Sequence, residues 1–179
     1  LREEKSCKEL VHKVIEASFV TARHTGVTLE ARSILADFNR ADGTLTVHHS
    51  TQAPHMMQGV FAKQLRLPES SVRVICKDVG GSFGIKVHVY PDEIAVAAMA
   101  RVMGRPVKFI ADRFESFVSD IHARDHRIKG RIAVDADGRI LAFDIEDRTG
   151  IGPYSVYPRT SAIEGNQVVN LCGGPYDFP

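Results

Sequence analysis

Apolar positions along the chain switch between two periods, and the switches divide it into elements. Residues 6–20 carry apolar side chains at Leu10, Val11, Val14, Ile15 and Ala17, a spacing that predicts a leading helix with Ser6 as its cap. Residues 33–38 and 44–49 alternate as strands do, and Asp42-Gly43 between them is a hairpin turn signal. Pro54 suits the first turn of a helix running to about Arg66. Residues 72–76 form a short apolar strand. Pro91-Asp92-Glu93 opens the clearest helix, which Gly104 closes. Residues 106–110 predict a buried strand and residues 112–120 a helical turn. A long hairpin follows, over 124–134 and 139–147, turning at Asp135-Ala136-Asp137-Gly138. Beyond Gly150 the composition shifts to Gly, Pro, Tyr and Ser, so an irregular end is expected, with one strand at 167–171. The order mixes helices with parallel and antiparallel strands. It predicts an α+β fold: a mixed sheet with helices packed on one side and a long antiparallel hairpin.

Composition narrows the function classes. The 179 residues suffice for one domain with a real core or two small ones. A net charge of +1 gives no electrostatic support for a nucleic-acid partner. No apolar run reaches the roughly 18 residues of a membrane span, and the charged start has no signal-peptide core. The cysteines, Cys7, Cys76 and Cys172, are widely separated, which disfavours a cysteine-held cluster or zinc site and suits a reducing, cytoplasmic compartment.

Three segments could carry chemistry. Asp78-Val79-Gly80-Gly81-Ser82-Phe83-Gly84-Ile85-Lys86 places three glycines within five residues after a strand. Glycine admits positive φ and close approach to a ligand, and consecutive free amides make an anion-binding concavity. Such a loop can hold a phosphate or the oxygens of a metal–oxo centre, or be a plain glycine-rich turn. Both common phosphate fingerprints are absent: Lys86 is followed by Val87, and the glycine spacing is not that of a dinucleotide loop. The second segment, Ser50-Thr51-Gln52-Ala53-Pro54-His55, lies where a strand ends and a helix starts, so Gln52 could donate to an oxo ligand, while Ser50 or Thr51 could simply cap the helix. In the third, Asp120-Ile121-His122-Ala123-Arg124-Asp125-His126, a strand would put His122, Arg124 and His126 on one face. The arginine would repel a cation there, so no metal ligands are expected, and an anion or substrate site centred on Arg124 is the better reading.

Together these segments resemble the molybdenum-binding large subunit of the xanthine dehydrogenase, aldehyde oxidase and carbon monoxide dehydrogenase family. The likeness rests on Ser50-Thr51-Gln52, Gly80-Gly81-Ser82-Phe83-Gly84-Ile85-Lys86, Gly104-Arg105-Pro106-Val107, Asp112-Arg113-Phe114-Glu115, Arg124 and Asp137-Gly138-Arg139-Ile140, in the family's order. Leu29-Glu30-Ala31-Arg32 is similar to its EPR stretch, with Ala31 in place of proline. The resemblance implies that residues 1–179 are the N-terminal part of a molybdenum-cofactor-binding domain. It implies a molybdopterin cytosine dinucleotide cofactor, held by Gln52, Gly80, Gly81, Ser82, Phe83 and Gly84. Gln52, Phe83 and Arg124 would act on the metal's oxo ligand and the substrate. FAD and 2Fe-2S clusters are expected on partner subunits, with the rest of the large subunit and a small-molecule substrate as further partners.

The implied reaction is oxidation of an aldehyde, an N-heterocycle or CO with oxygen from water. Val87 stands where purine-hydroxylating members have a glutamate, which argues against purine chemistry of that type. The family's AYRG-type loop and its GxGE segment, with the glutamate base, do not occur in this sequence. It is therefore expected to be a fragment inactive alone; the alternative is a non-catalytic binding or assembly module with the same fold.

Overall fold

The computed structural model describes residues 10–152, 157–158 and 161–176. They form two compact units, one from within 25–122 and 156–159 and the other from within 1–24, 123–155 and 160–179.

The larger unit is built on a four-stranded sheet. Its strands are β2 (Ser33–Asn39), β3 (Thr44–His49), β4 (Val72–Ile75) and β5 (Val107–Ile110), in the order β4-β3-β2-β5. β2 pairs antiparallel with both β3 and β5, while β3 and β4 run parallel. The parallel step is allowed because α1 (Pro54–Leu65) carries the chain across between them. α2 (Pro91–Met103) follows β4, and α3 (Arg113–Ser119) follows β5.

Strand alternation decides which face is covered. Ile34, Ala36, Leu45, Val47 and Val72 point into one core with Met57, Phe61 and Ala62 of α1 and Val96, Ala97 and Ala100 of α2. Both helices therefore lie on the same face of the sheet. Truncating a fully buried ring such as Phe61 to Ala costs about 3–5 kcal/mol. Pro54 and Pro91 start their helices as predicted, and Arg66 and Gly104 end them in left-handed conformations at φ +53° and +63°. Residues 112–120 are a capped helix: Glu115 N–H donates to Asp112 Oδ1 at 2.8 Å, and Asp112 N–H donates to Glu115 Oε2 at 2.7 Å.

The smaller unit corrects three expectations. The hairpin is present as β6 (His126–Val134) and β7 (Ile140–Thr149), but it is not two-stranded, because β1 (Lys13–Thr21) adds to its β6 edge. The predicted leading helix is thus a strand over 13–21, and Ser6 lies outside the described residues. The segment is rich in β-branched and aromatic residues, and pairing of Ile15 with Ile132 and Phe19 with Ile128 overrides its helical spacing. The strand expected at 167–171 is instead the end of α4 (Ser161–Leu171), so the region after Gly150 is not irregular throughout. A short apolar run does not by itself separate a strand from a helix; here the segment forms a helix packed on β7. Finally, β6 starts at His126 rather than residue 124, because Arg124 takes a left-handed φ of +72° and breaks the extended run. His122, Arg124 and His126 therefore do not share a strand face.

Among the described residues no helix is long and apolar enough to cross a membrane.

Candidate functional site

The glycine segment leaves β4, crosses the surface of the larger unit and ends in a single 3-10 turn, Ile85–Val87. Glycines make its shape accessible: φ is +93° at Gly81 and +87° at Gly84. Phe83, between them, has no such freedom, yet sits at φ +48° with 78% of its surface exposed. A bulky aromatic in a left-handed conformation and in open solvent gains little from burial, and such a cost is found where a site needs the side chain. Two glycines leave room for it. A Cβ on Gly26 would lie 2.9 Å from Phe83 Cβ, and one on Gly81 would lie 3.2 Å from Phe83 Cε2.

Both ends of the loop are tied down. At its start, Gly80 N–H donates to Glu30 Oε2 at 2.7 Å, and Glu30 N–H returns a bond to Gly80 O at 3.1 Å. At its end, Tyr90 Oη donates to Ile85 O at 3.0 Å. Lys86 O accepts from Thr51 Oγ1 at 3.0 Å and from Gln52 N–H at 3.1 Å. Thr51 also accepts from Ala53 N–H at 3.1 Å, so it secures the turn before α1, whose N-cap residue, Ala53, makes no side-chain cap. Gln52 is thereby anchored by its backbone to the loop while its carboxamide stays exposed. Cys76 Sγ donates to Thr51 O at 3.0 Å, a local contact rather than a ligand position.

Lys86 does not serve as a free cation. Its side chain is fully shielded, and its ammonium lies 2.9 Å from Glu30 Oε2. The same oxygen accepts from Ser50 Oγ at 3.0 Å. Burial pushes the Glu30 carboxyl up, but the hydrogen bonds from Lys86, Gly80 and Ser50 outweigh it and hold the group below its ordinary value.

Behind this lies a second ionic cluster. Arg32, 1% exposed, forms a bidentate pair with Asp92 at 2.9 and 2.8 Å and also reaches Asp120 at 2.6 Å and Glu93 at 3.2 Å. Its guanidinium stacks 3.7 Å from the centre of the Tyr90 ring. Burial alone would lower its pKa; the hydrogen bonds to Asp92 and Asp120 reverse that and raise it. Residues 30–32 thus form a strap, gripping the glycine loop with Glu30 and the start of α2 with Arg32. Arg113 holds the strap from outside, donating to Thr28 O at 2.7 Å and Leu29 O at 3.0 Å.

What remains open is a set of neutral donors. The backbone N–H groups of Ser82, Phe83 and Gly84 have no acceptor among the described residues, whereas Gly81 N–H donates to Val79 O at 2.9 Å and Ile85 N–H to Ser82 O at 2.8 Å. Three successive free amides, two of them at positive φ, are donors of the kind that oxygen atoms accept. No group of three or more His, Cys, Asp or Glu is arranged as metal ligands among the described residues.

The profile of the molybdopterin cofactor-binding domain family matches residues 3–179. This chain belongs to that family.

The domain is 33% identical over 151 residues to a carbon monoxide dehydrogenase large chain from Hydrogenophaga pseudoflava, covering 84% of this chain and 19% of the relative. It is 35% identical over 166 residues to subunit gamma of the 6-hydroxypseudooxynicotine dehydrogenase complex of Paenarthrobacter nicotinovorans, covering 93% and 20%. Among solved structures, quinoline 2-oxidoreductase from Pseudomonas putida 86 superposes with a TM-score of 0.93 at 31% identity, over 97% of this chain and 22% of that one. The chain spans about a fifth of the length of these relatives.

The residues of the molybdopterin-binding domain fit such a cofactor. Neutral amides and the exposed Gln52 carboxamide suit oxygen-rich groups, and the one lysine of the loop is already neutralised by Glu30. Of the residues expected at the site, Gln52, Gly80, Gly81, Ser82, Phe83 and Gly84 come from two segments hydrogen-bonded to each other. Gly80 differs from the rest in that its amide is spent on Glu30. Arg124 belongs to the other unit, where its guanidinium and backbone N–H both donate to Glu164 Oε1, at 2.7 and 2.9 Å. Sequence reasoning assigned no role to Glu30, Arg32 or Arg113. The signals were the Leu29-Glu30-Ala31-Arg32 and Asp112-Arg113-Phe114-Glu115 segments of the family resemblance, which mark these residues without saying what they hold.

Proposed function

We propose that this domain is part of the large subunit of a molybdenum hydroxylase or dehydrogenase that oxidises an aldehyde, an N-heterocycle or carbon monoxide with oxygen drawn from water. The observation that carries the reading is the anchored 80–86 loop, with three acceptor-free amides beside an exposed phenylalanine and Gln52. Family membership and relatives named as a carbon monoxide dehydrogenase and a nicotine 6-hydroxylase support it.

The cofactor proposed is the cytosine dinucleotide form of molybdopterin, which when bound supplies a two-electron centre that passes oxygen from water to the substrate. The chain's own residues position and shield. Gln52 Nε2 and the amides of Ser82, Phe83 and Gly84 would donate hydrogen bonds to the cofactor's oxygens, the backbone amides as dipoles held in place by the anchored loop. The Phe83 ring would cover the substrate side and exclude water there. Lys86, paired with Glu30, adds no net charge. No residue of this chain is assigned as the proton acceptor, so the 179 residues alone are expected to be inactive. FAD and 2Fe-2S centres on partner subunits would accept the two electrons.

Metal and pterin analysis of the full-length protein, with dye reduction by CO, an aromatic N-heterocycle and an aldehyde, tests this. Stoichiometric molybdenum and reduction by one of the three classes are expected. A protein free of molybdenum and pterin, or turnover by the isolated 179 residues, would overturn the respective part.

A further inference from the structure

We propose that Glu30 is the positioning residue of this site: a single carboxylate oxygen that sets the geometry of both cofactor-facing segments at once. The proposal rests on the functional reading above for its purpose, but its geometry stands by itself. Oε2 accepts from three donors on two stretches of chain: Ser50, just after β3, and Gly80 and Lys86, at the start and end of the loop. Ser50 is two residues from Gln52, and Gly80 and Lys86 bracket the free amides at 82–84. One oxygen atom therefore fixes the separation of the strand end and both loop ends.

The local packing leaves no slack. A Cβ on Gly80 would lie 2.6 Å from Glu30 Cβ, so the loop starts in van der Waals contact with the strap. Arg32, two residues on, locks the strap to Asp92, Glu93 and Asp120. Glu30 touches neither the free amides nor the Gln52 side chain, so it acts only through what it holds.

The test is Glu30→Gln in the full-length protein, read by hydrogen–deuterium exchange of the hydrogen-bonded amides Gln52, Gly81 and Ile85. None of these donates to Glu30, so a merely lost contact would leave them unmoved. Exchange at these amides at least ten times faster is expected, with peptides over 45–49 and 94–103 unchanged. Glu30→Asp, which keeps the charge but is one methylene short, is expected to fall between the two. Unchanged exchange at 52, 81 and 85, or equal acceleration in the core peptides, would overturn the proposal. So would wild-type exchange in the Glu30→Gln, Lys86→Met double variant, which would reduce Glu30 to a counter-ion. Should Glu30→Gln not fold, Ser50→Ala removes one donor and unpairs no buried charge; faster exchange confined to 50–53 and 79–90 supports the role, and none refutes it. Molybdenum and pterin content is measured in parallel. Their absence from the wild type would sink the functional reading while the exchange data still decide the positioning role.

Discussion

The Lys86 ammonium, shielded from solvent on all sides, lies 2.9 Å from the half-exposed Glu30 carboxylate. The pair joins the end of the glycine loop to the strap, and its acid partner titrates below the ordinary carboxylate range. A group whose folded pKa is depressed contributes stability above its unfolded pKa, and that stability disappears as pH falls through the folded value. Unfolding free energy is thus expected to drop as pH falls below about 4.5, the ordinary Glu value. Urea unfolding from pH 6 to 3 checks this. The Glu30→Gln protein should show a flatter acid limb that converges on the wild type at the low end, and parallel curves would contradict the assignment.

Gly80→Ala and Gly84→Ala are expected to fail for different reasons. Gly84 has φ +87° with nothing within 4 Å of an added Cβ, so alanine meets only backbone strain of about 1–2 kcal/mol. Gly80 has no positive φ, but its Cβ would collide with Glu30. Moving the strap would break the Glu30 bonds, at a cost of about 1.5–3 kcal/mol for each charged hydrogen bond lost. Thermal unfolding should rank Gly80→Ala as the more damaging.

Phe83→Ala separates stability from function. The ring is 78% exposed and its backbone is strained, so its removal should change the unfolding free energy by no more than about 0.5 kcal/mol. In the full-length enzyme the same change is expected to cut kcat/KM at least tenfold. A large stability loss with full activity would make Phe83 a packing residue.

Arg32→Met should be strongly destabilising, by about 3–5 kcal/mol, because it leaves the buried carboxylates of Glu93 and Asp120 without the guanidinium. Arg32→Lys keeps the charge but cannot make the bidentate bond to Asp92 while reaching Asp120, and most of the loss should remain. Denaturant midpoints of the two variants test this.

Much of the molecule was legible as pattern. Pro54 and Pro91 marked helix starts because their fixed φ and missing N–H suit that position, and Asp42-Gly43 and Asp137-Gly138 marked turns. The departures lie in the smaller unit. Residues 13–21 have helical spacing and lie in a strand, and 167–171 look like a strand and lie in a helix. In each case a partner distant in sequence decided the outcome: β6 offered a hydrogen-bonding edge to the first, and β7 packs against the second.

The same division runs through the site. The order of residues alone determined that a glycine-rich loop lacking both phosphate fingerprints follows a short strand, and that Gln52 lies between another strand and a helix. These are local facts, set by backbone freedom and spacing. Only the tertiary structure decided that Lys86 is spent on Glu30 rather than offered to a ligand, that the Gly80 amide is spent likewise, and that the amides of Ser82, Phe83 and Gly84 are not. The reason is physical. Whether a donor is free depends on which acceptor the fold brings within 3 Å of it, and Glu30 is 50 residues from Gly80 and 56 from Lys86.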